Sequence, residues 1–182
     1  VVIASRKMDA CEKTAREVEA LGRRALPYAC HVGKWGELDG LVDAAYATFG
    51  KVDILVNNAG LSPLYPSLDA ITEDLFDKVV AINLKGPFRL AALVGTRMMA
   101  GDGGSIINVS STAAVTPSPT SEPYGAAKAG LNALTRSLAN AFGPKVRVNC
   151  VMPGPFLTDI SKAWDLEAFN RAAKDGIPLG RG

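Results

Sequence analysis

Tyr124 and Lys128 stand four residues apart in a stretch with helical apolar periodicity, a spacing that brings both side chains onto one helix face. A phenol, with a pKa of about 10, exchanges protons poorly at neutral pH unless a nearby cation stabilises the phenolate. Lys128 is such a cation. Ser111 follows an apolar run thirteen residues before Tyr124, where its hydroxyl can donate to a substrate oxygen. Asn57-Asn58-Ala59-Gly60 closes another apolar run. Its small residues let the backbone approach a flat ligand, and its amides can tie neighbouring strands together. Each feature has an ordinary reading when taken alone: a chance Tyr/Lys pair, a solvated Ser-Ser-Thr turn, an Asn-Gly turn.

Composition removes competing chemistries. The 182 residues are 48% apolar and 21% charged, which fits one globular domain spanning 1–182. A net charge of +2 without a basic cluster argues against a nucleic-acid partner. Cys11, Cys30 and Cys150 are odd in number and in no CxxC spacing, so neither a disulfide framework nor a zinc site is expected. One histidine, His31, speaks against a Ser/His/Asp hydrolase and a multi-His metal centre. No metal is expected. With no run near the roughly 20 apolar residues of a bilayer span and no secretory leader, a cytoplasmic protein without a membrane partner is the expectation. The chain opens on Val1 inside a β-branched run and closes on Leu-Gly-Arg-Gly, so a piece of a longer protein is expected.

These side chains must be positioned by alternating strands and helices. Strands are expected at Val1–Ala4, Ala25–Cys30, Asp53–Asn57, Ser105–Val109 and Val146–Val151. Helices are expected at Asp9–Leu21, Gly36–Phe49, a Thr72-capped stretch, Pro87–Met99, Tyr124–Phe142 and Asp159–Lys174. Pro87 suits a first turn better than an interior, which predicts a break at Asn83–Gly86. The alternation implies an α/β, Rossmann-like, doubly wound parallel sheet in three layers, with ligands beyond the carboxyl ends of its strands. In a dinucleotide-binding sheet, Ser5-Arg6 after the first strand leaves room for a 2′-phosphate and supplies a planar cation, where an acidic residue would select NAD. The site is expected to prefer NADP(H).

Asn57-Asn58-Ala59-Gly60, Asn83, Asn108-Val109-Ser110-Ser111, Tyr124-Gly-Ala-Ala-Lys128 and Pro153-Gly154 resemble, in order and spacing, the classical short-chain dehydrogenases/reductases over nearly the whole chain. The resemblance implies an oxidoreductase that interconverts a carbonyl and an alcohol by hydride transfer, with Asn83, Ser111, Tyr124 and Lys128 as the catalytic set. Tyr124 would be the general acid/base, and Lys128 would lower its pKa and bind the nicotinamide ribose. Ser111 would polarise the carbonyl, and Asn83 would help hold a relay water. It also implies cofactor contacts at Ser5, Arg6, His31, Val32, Asn57, Ala59 and Gly60, and carboxamide contacts at Pro153, Gly154, Phe156 and Thr158.

The chain departs from that pattern in two ways. His31 stands where the family places an adenine-binding Asp. The family's first strand, its Gly-rich pyrophosphate turn and its C-terminal strand are absent. The missing strand is central, between Val1–Ala4 and Asp53–Asn57, and those two strands are expected to collapse together; the isolated piece is expected to be inactive. Leu64, Tyr65, Trp164, Leu166 and Phe169 border the site without a paired charge for an anion, which favours a neutral, apolar substrate. The Cys30–Lys34 and Pro117–Pro119 stretches resemble the NADP-dependent carbonyl and retinal reductases. A 3-oxoacyl thioester reductase and a non-catalytic scaffold are the alternatives. Gly125, Ala126, Ala127, Ala129 and Gly130 would allow the family's helix-to-helix contacts in a homo-dimer or tetramer.

Overall fold

A computed structural model describes residues 1–116, 119–157, 165–177 and 179–180. Five strands alternate with helices: β1 (Val2–Ser5), α1 (Met8–Ala20), β2 (Leu26–Ala29), α2 (Glu37–Phe49), β3 (Ile54–Asn57), α3 (Glu73–Val80), α4 (Gly86–Ala100), β4 (Gly104–Val109), α5 (Glu122–Phe142), β5 (Val146–Val151) and α6 (Leu166–Gly176). All strand pairings are parallel. The local signals act as expected at several boundaries. The Thr72 hydroxyl accepts from the Leu75 N–H at 3.2 Å, and Gly50 ends α2 at φ +79°, a conformation glycine adopts without a Cβ clash. The last helix starts at Leu166 rather than Asp159; residues 158–164, with Trp164 and Thr158 among them, lie outside the described residues.

The break expected at Asn83–Gly86 is instead a wide π turn over Ala81–Lys85 that makes α3 and α4 one rod. Pro87 has no N–H to offer the Asn83 carbonyl four residues back. Widening the turn accommodates it, and the Gly86 N–H reaches five residues back to the Ala81 carbonyl. The rod Glu73–Ala100 is long and apolar enough to cross a bilayer, but half of its apolar window is buried inside the fold.

The second correction concerns the sheet. β1 pairs only with β2, and β3–β4–β5 form a separate sheet, so β1 and β3 have not collapsed together. Their facing edges border a slot of about 1070 Å³, lined by residues 1–6 on one side and 51–61 on the other. Helices set that spacing. α2 lies against β2, α4 lies against β3 and β4, and α2 packs on α4. Leu38, Leu41 and Val42 of α2 share one core with Leu90, Ala91 and Val94 of α4 and Ile106, Val146 and Val148 of the sheet. The Arg89–Asp39 pair at 2.7 Å and the Arg97–Asp43 pair join the same two helices. Closing the slot would tear this packing apart, so two open strand edges persist. Among the described residues, α1 covers the opposite sheet face at β1 and β2, and Ile54 and Val56 of β3 are 62% and 52% exposed.

Gly86 joins the two halves most closely, because a Cβ there would lie 2.3 Å from the Val32 backbone carbonyl oxygen just beyond β2. Gly86→Ala is therefore expected to destabilise the chain by about 1–3 kcal/mol, the usual range for overpacking against atoms that cannot swing away. Urea unfolding of both proteins measures this; an unchanged midpoint would show that α4 and β2 are not held at this distance.

Candidate functional site

The carboxyl end of β4 and the turn that follows it meet the first turns of α5. Lys128 is 3% exposed, its Nζ donates to the Val109 carbonyl at 2.7 Å, and it lies 5.7 Å from the centre of the Tyr124 ring. Burial disfavours the ammonium and brings its pKa down to about 8. The Ser110 hydroxyl donates to the Lys128 backbone carbonyl at 3.2 Å, which ties the end of β4 to α5. Gly125 permits the approach: a Cβ there would meet the Ala113 carbonyl oxygen at 3.0 Å. Ala113 belongs to the single turn that Ser111 opens, and Ser111 Oγ accepts its N–H at 3.1 Å. An oxygen that accepts in this way keeps its own hydrogen free to donate.

Asn83, fully buried in the π turn, closes the other side. Its Nδ2 donates to the carbonyls of Leu61 and Val79, each at 2.8 Å, and its Oδ1 accepts the Leu61 N–H at 3.2 Å. The loop after β3 is thus fixed to the rod. Gly60 sits between the two groups, where a Cβ would begin 3.3 Å from Asn83 Oδ1 and 3.8 Å from Lys128 Nζ. Behind the site, Asn57 Nδ2 donates to Asn108 Oδ1 and Asn108 Nδ2 to Thr135 Oγ1, both at 2.9 Å. This chain links β3, β4 and α5 through buried polar atoms that satisfy one another. Asn57 Oδ1 is buried without a partner, and Asn57 lines the slot.

The remaining predicted residues divide. Ser5, Arg6, Val32, Asn57, Asn58, Ala59 and Gly60 all line the slot, so the end of β1 and the loop after β3 border one cavity. The loop after β5 is tied to the Ser111 turn, because the Thr112 N–H donates to the Pro153 carbonyl at 3.0 Å. Gly154 has open space around it and Phe156 is 65% exposed, so neither is brought against the other predicted residues. His31 follows β2 with its ring turned back on its own loop, Nδ1 accepting the Gly33 N–H at 3.1 Å. That bond assigns the hydrogen of the neutral ring to Nε2, leaving a donor where a carboxylate would be an acceptor. The His31 N–H donates to Glu37 at 2.8 Å, and this bond, together with Lys34, holds the Glu37 carboxyl below its ordinary range.

A dinucleotide fits the residues present at both of its ends. Gly60 lets the backbone lie close beside Lys128 at one end, and Arg6 supplies a planar cation at the other. Between these ends, no described helix is opened by a glycine-rich turn that would receive a pyrophosphate. Motif reading left two positioning groups without a role. Thr135 lies on the α5 face that also carries Leu131 and Leu138, and this helical phase was its only sequence signal. The Tyr65 hydroxyl stands in a run read as apolar lining.

A profile of the short chain dehydrogenases matches residues 1–168. The human protein "Dehydrogenase/reductase SDR family member 4" is 37% identical over 163 residues, 89% of this chain. The chain spans 59% of that relative's length. The crystal structure of a gluconate 5-dehydrogenase from Burkholderia cenocepacia in complex with NADP and tartrate superposes with a TM-score of 0.92 at 31% identity, covering 99% of this chain and 71% of that one. A metagenomic short-chain oxidoreductase in complex with NADP gives a TM-score of 0.80 at 33% identity, over 86% of this chain and 70% of that one. With the parallel α/β fold, these findings show that the chain belongs to the short-chain dehydrogenase family.

Proposed function

We propose that this chain carries the catalytic half of an NADP(H)-dependent oxidoreductase that interconverts a neutral, apolar ketone or aldehyde with its alcohol. The observation that carries the reading is the buried Lys128 ammonium 5.7 Å from the Tyr124 ring. A cation in so dry a place interacts with neighbouring charge far more strongly than it would in water. At neutral pH a lysine with a pKa of about 8 is still mostly charged. Tyr124 then gives its proton to the developing alkoxide in reduction and takes it back in oxidation. The Ser111 hydroxyl, free to donate, orients the carbonyl oxygen and strengthens its bond as negative charge grows there. The bound dinucleotide would supply or accept the hydride.

Asn83 would act through its backbone. Its side-chain amide is committed to Leu61 and Val79, so a relay water near Lys128 would be held by its backbone carbonyl, whose ordinary helical partner is replaced by Pro87. Ser5 and Arg6 would hold the 2′-phosphate, and the absence of a carboxylate at that strand end disfavours NAD. His31 would offer Nε2–H to a ring nitrogen of adenine. The exposed small residues of α5, Ala126 and Ala129, would support a homo-oligomer built on that helix.

In the natural protein carrying this chain, Tyr124→Phe is expected to lower kcat at least about 100-fold, within the range that positioned proton transfer contributes, while NADPH affinity by fluorescence titration stays near that of the parent. Retention of most of the turnover would remove Tyr124 from its role. Ser5→Asp combined with Arg6→Ala should shift the kcat/KM ratio toward NAD(H); an unmoved ratio would show that the end of β1 does not read the ribose.

The lysine leaves a signature in stability. With a folded pKa of about 8 against an ordinary 10.5, the unfolded chain binds the extra proton between those values, so the contribution of Lys128 to stability rises with pH across that window. Relative to Lys128→Met, the wild type is expected to gain on the order of 3 kcal/mol from pH 7 to 10.5 without cofactor. Urea unfolding at stepped pH reads the difference; parallel curves would place the ammonium in water.

A further inference from the structure

α5 begins without help from its own N-cap: Ser121 makes no side-chain capping bond to the first turn. The first N–H groups of a helix have no intrahelical acceptor and need an oxygen from elsewhere. Here the oxygen comes from 57 residues upstream. Tyr65 OH accepts the Glu122 N–H at 2.9 Å and donates to the Glu122 carboxylate. Both groups are tuned for this arrangement. Burial and the Glu122 carboxylate push the Tyr65 phenol up, and Tyr65 is the first cause that holds the Glu122 carboxyl down, so the phenol stays a donor and the carboxylate an acceptor.

The segment that delivers Tyr65 is itself fixed at its start, since Leu61 is held on both its N–H and its carbonyl by Asn83. Between those anchors lie Ser62, Pro63 and Leu64, and Pro66 follows. The two prolines narrow the backbone freedom of the strap and of Tyr65 itself. The strap therefore runs from the buried amide beside Lys128 to the residue two before Tyr124. It carries Leu64 and Tyr65, which are expected from the sequence to border the substrate site.

We infer that Tyr65 is a positioning residue that caps the catalytic helix from outside, so that the loop after β3 and the first turn of α5 are ordered together. A phenol fits this role better than an apolar lining residue, because only its hydroxyl reaches the helix. The kinetic part of the inference rests on the proposed carbonyl reduction; the structural part does not.

The test uses Tyr65→Phe, which keeps the ring and deletes the oxygen, in the natural protein. Hydrogen exchange should show amides 61, 62, 64 and 65 and amides 122, 124 and 125 losing protection together, by about tenfold or more, the equivalent of one hydrogen bond. Glu122→Gln keeps a neutral acceptor for the phenol and should retain most of the protection, whereas Glu122→Ala keeps the capped backbone N–H but deletes that acceptor and should lose part of it, with the double variant losing no more than Tyr65→Phe alone. With acetophenone as a neutral ketone probe and NADPH, Tyr65→Phe should raise KM several-fold with kcat and NADPH affinity little changed. Protection unchanged in either segment, or additive losses in the double variant, would overturn the capping role. Lost protection with an unmoved KM would overturn the positioning role. A wild type inactive on a panel of neutral ketones would instead overturn the proposed reaction, and the exchange arm would still decide the cap.

Discussion

A primary ammonium taken almost entirely out of water is the constraint around which this half of the molecule is arranged. Lys128 carries three N–H donors and a full charge, and leaving it unpaired at 3% exposure would cost several kcal/mol. The Val109 carbonyl answers it from the last residue of β4. For that bond to form, α5 must lie close over the strand ends. Gly125 allows the contact with the Ser111 turn, Ser110 fastens the Lys128 carbonyl, and the Asn57–Asn108–Thr135 chain sets α5 against the two strands behind. The charge placement that would make a phenol useful is thus also the organising demand on the packing.

The same demand explains which residues at the site have no side chain. Gly60 lies where a Cβ would crowd Asn83 and touch the lysine, and Gly125 lies where one would press on the Ser111 turn. A lysine and an asparagine bring length and polarity to a small volume, and the backbone opposite them must give up bulk.

Much of this was legible beforehand, for physical reasons that differ by residue. The Tyr124 and Lys128 pair reads directly, because a four-residue spacing has one meaning on a helix. The Thr72 cap reads equally well, since it is a local hydrogen bond between neighbours. Asn57 was expected to tie strands together, and its bond to Asn108 does so. The misreadings share a cause: the deciding atoms are remote in sequence. Pro87 argued for a break because its local chemistry is disruptive, and only the packing of the rod against α2, α5 and the sheet shows why the chain widens instead. The expected collapse of β1 onto β3 weighed the open strand edges but not the α2–α4 core that holds them apart. Tyr65 was counted by its ring, and its partner lies 57 residues away.

The widened turn at Ala81–Lys85 changes how the rod must be counted. An α-helix advances about 100° per residue, so one surplus residue re-phases everything on one side of it relative to the other. Val79 before the turn belongs to the segment that packs on α5, while Leu90 and Val94 beyond it face the core beneath both sheets. One continuous rod thereby serves two surfaces that no single helical phase could satisfy. Within that turn the number of residues matters alongside the identity of Asn83: excising Leu84 or Lys85 would rotate Asn83 and the whole of α3 by about 100° against α4, uncoupling the loop after β3 from the lysine without altering a side chain that touches either.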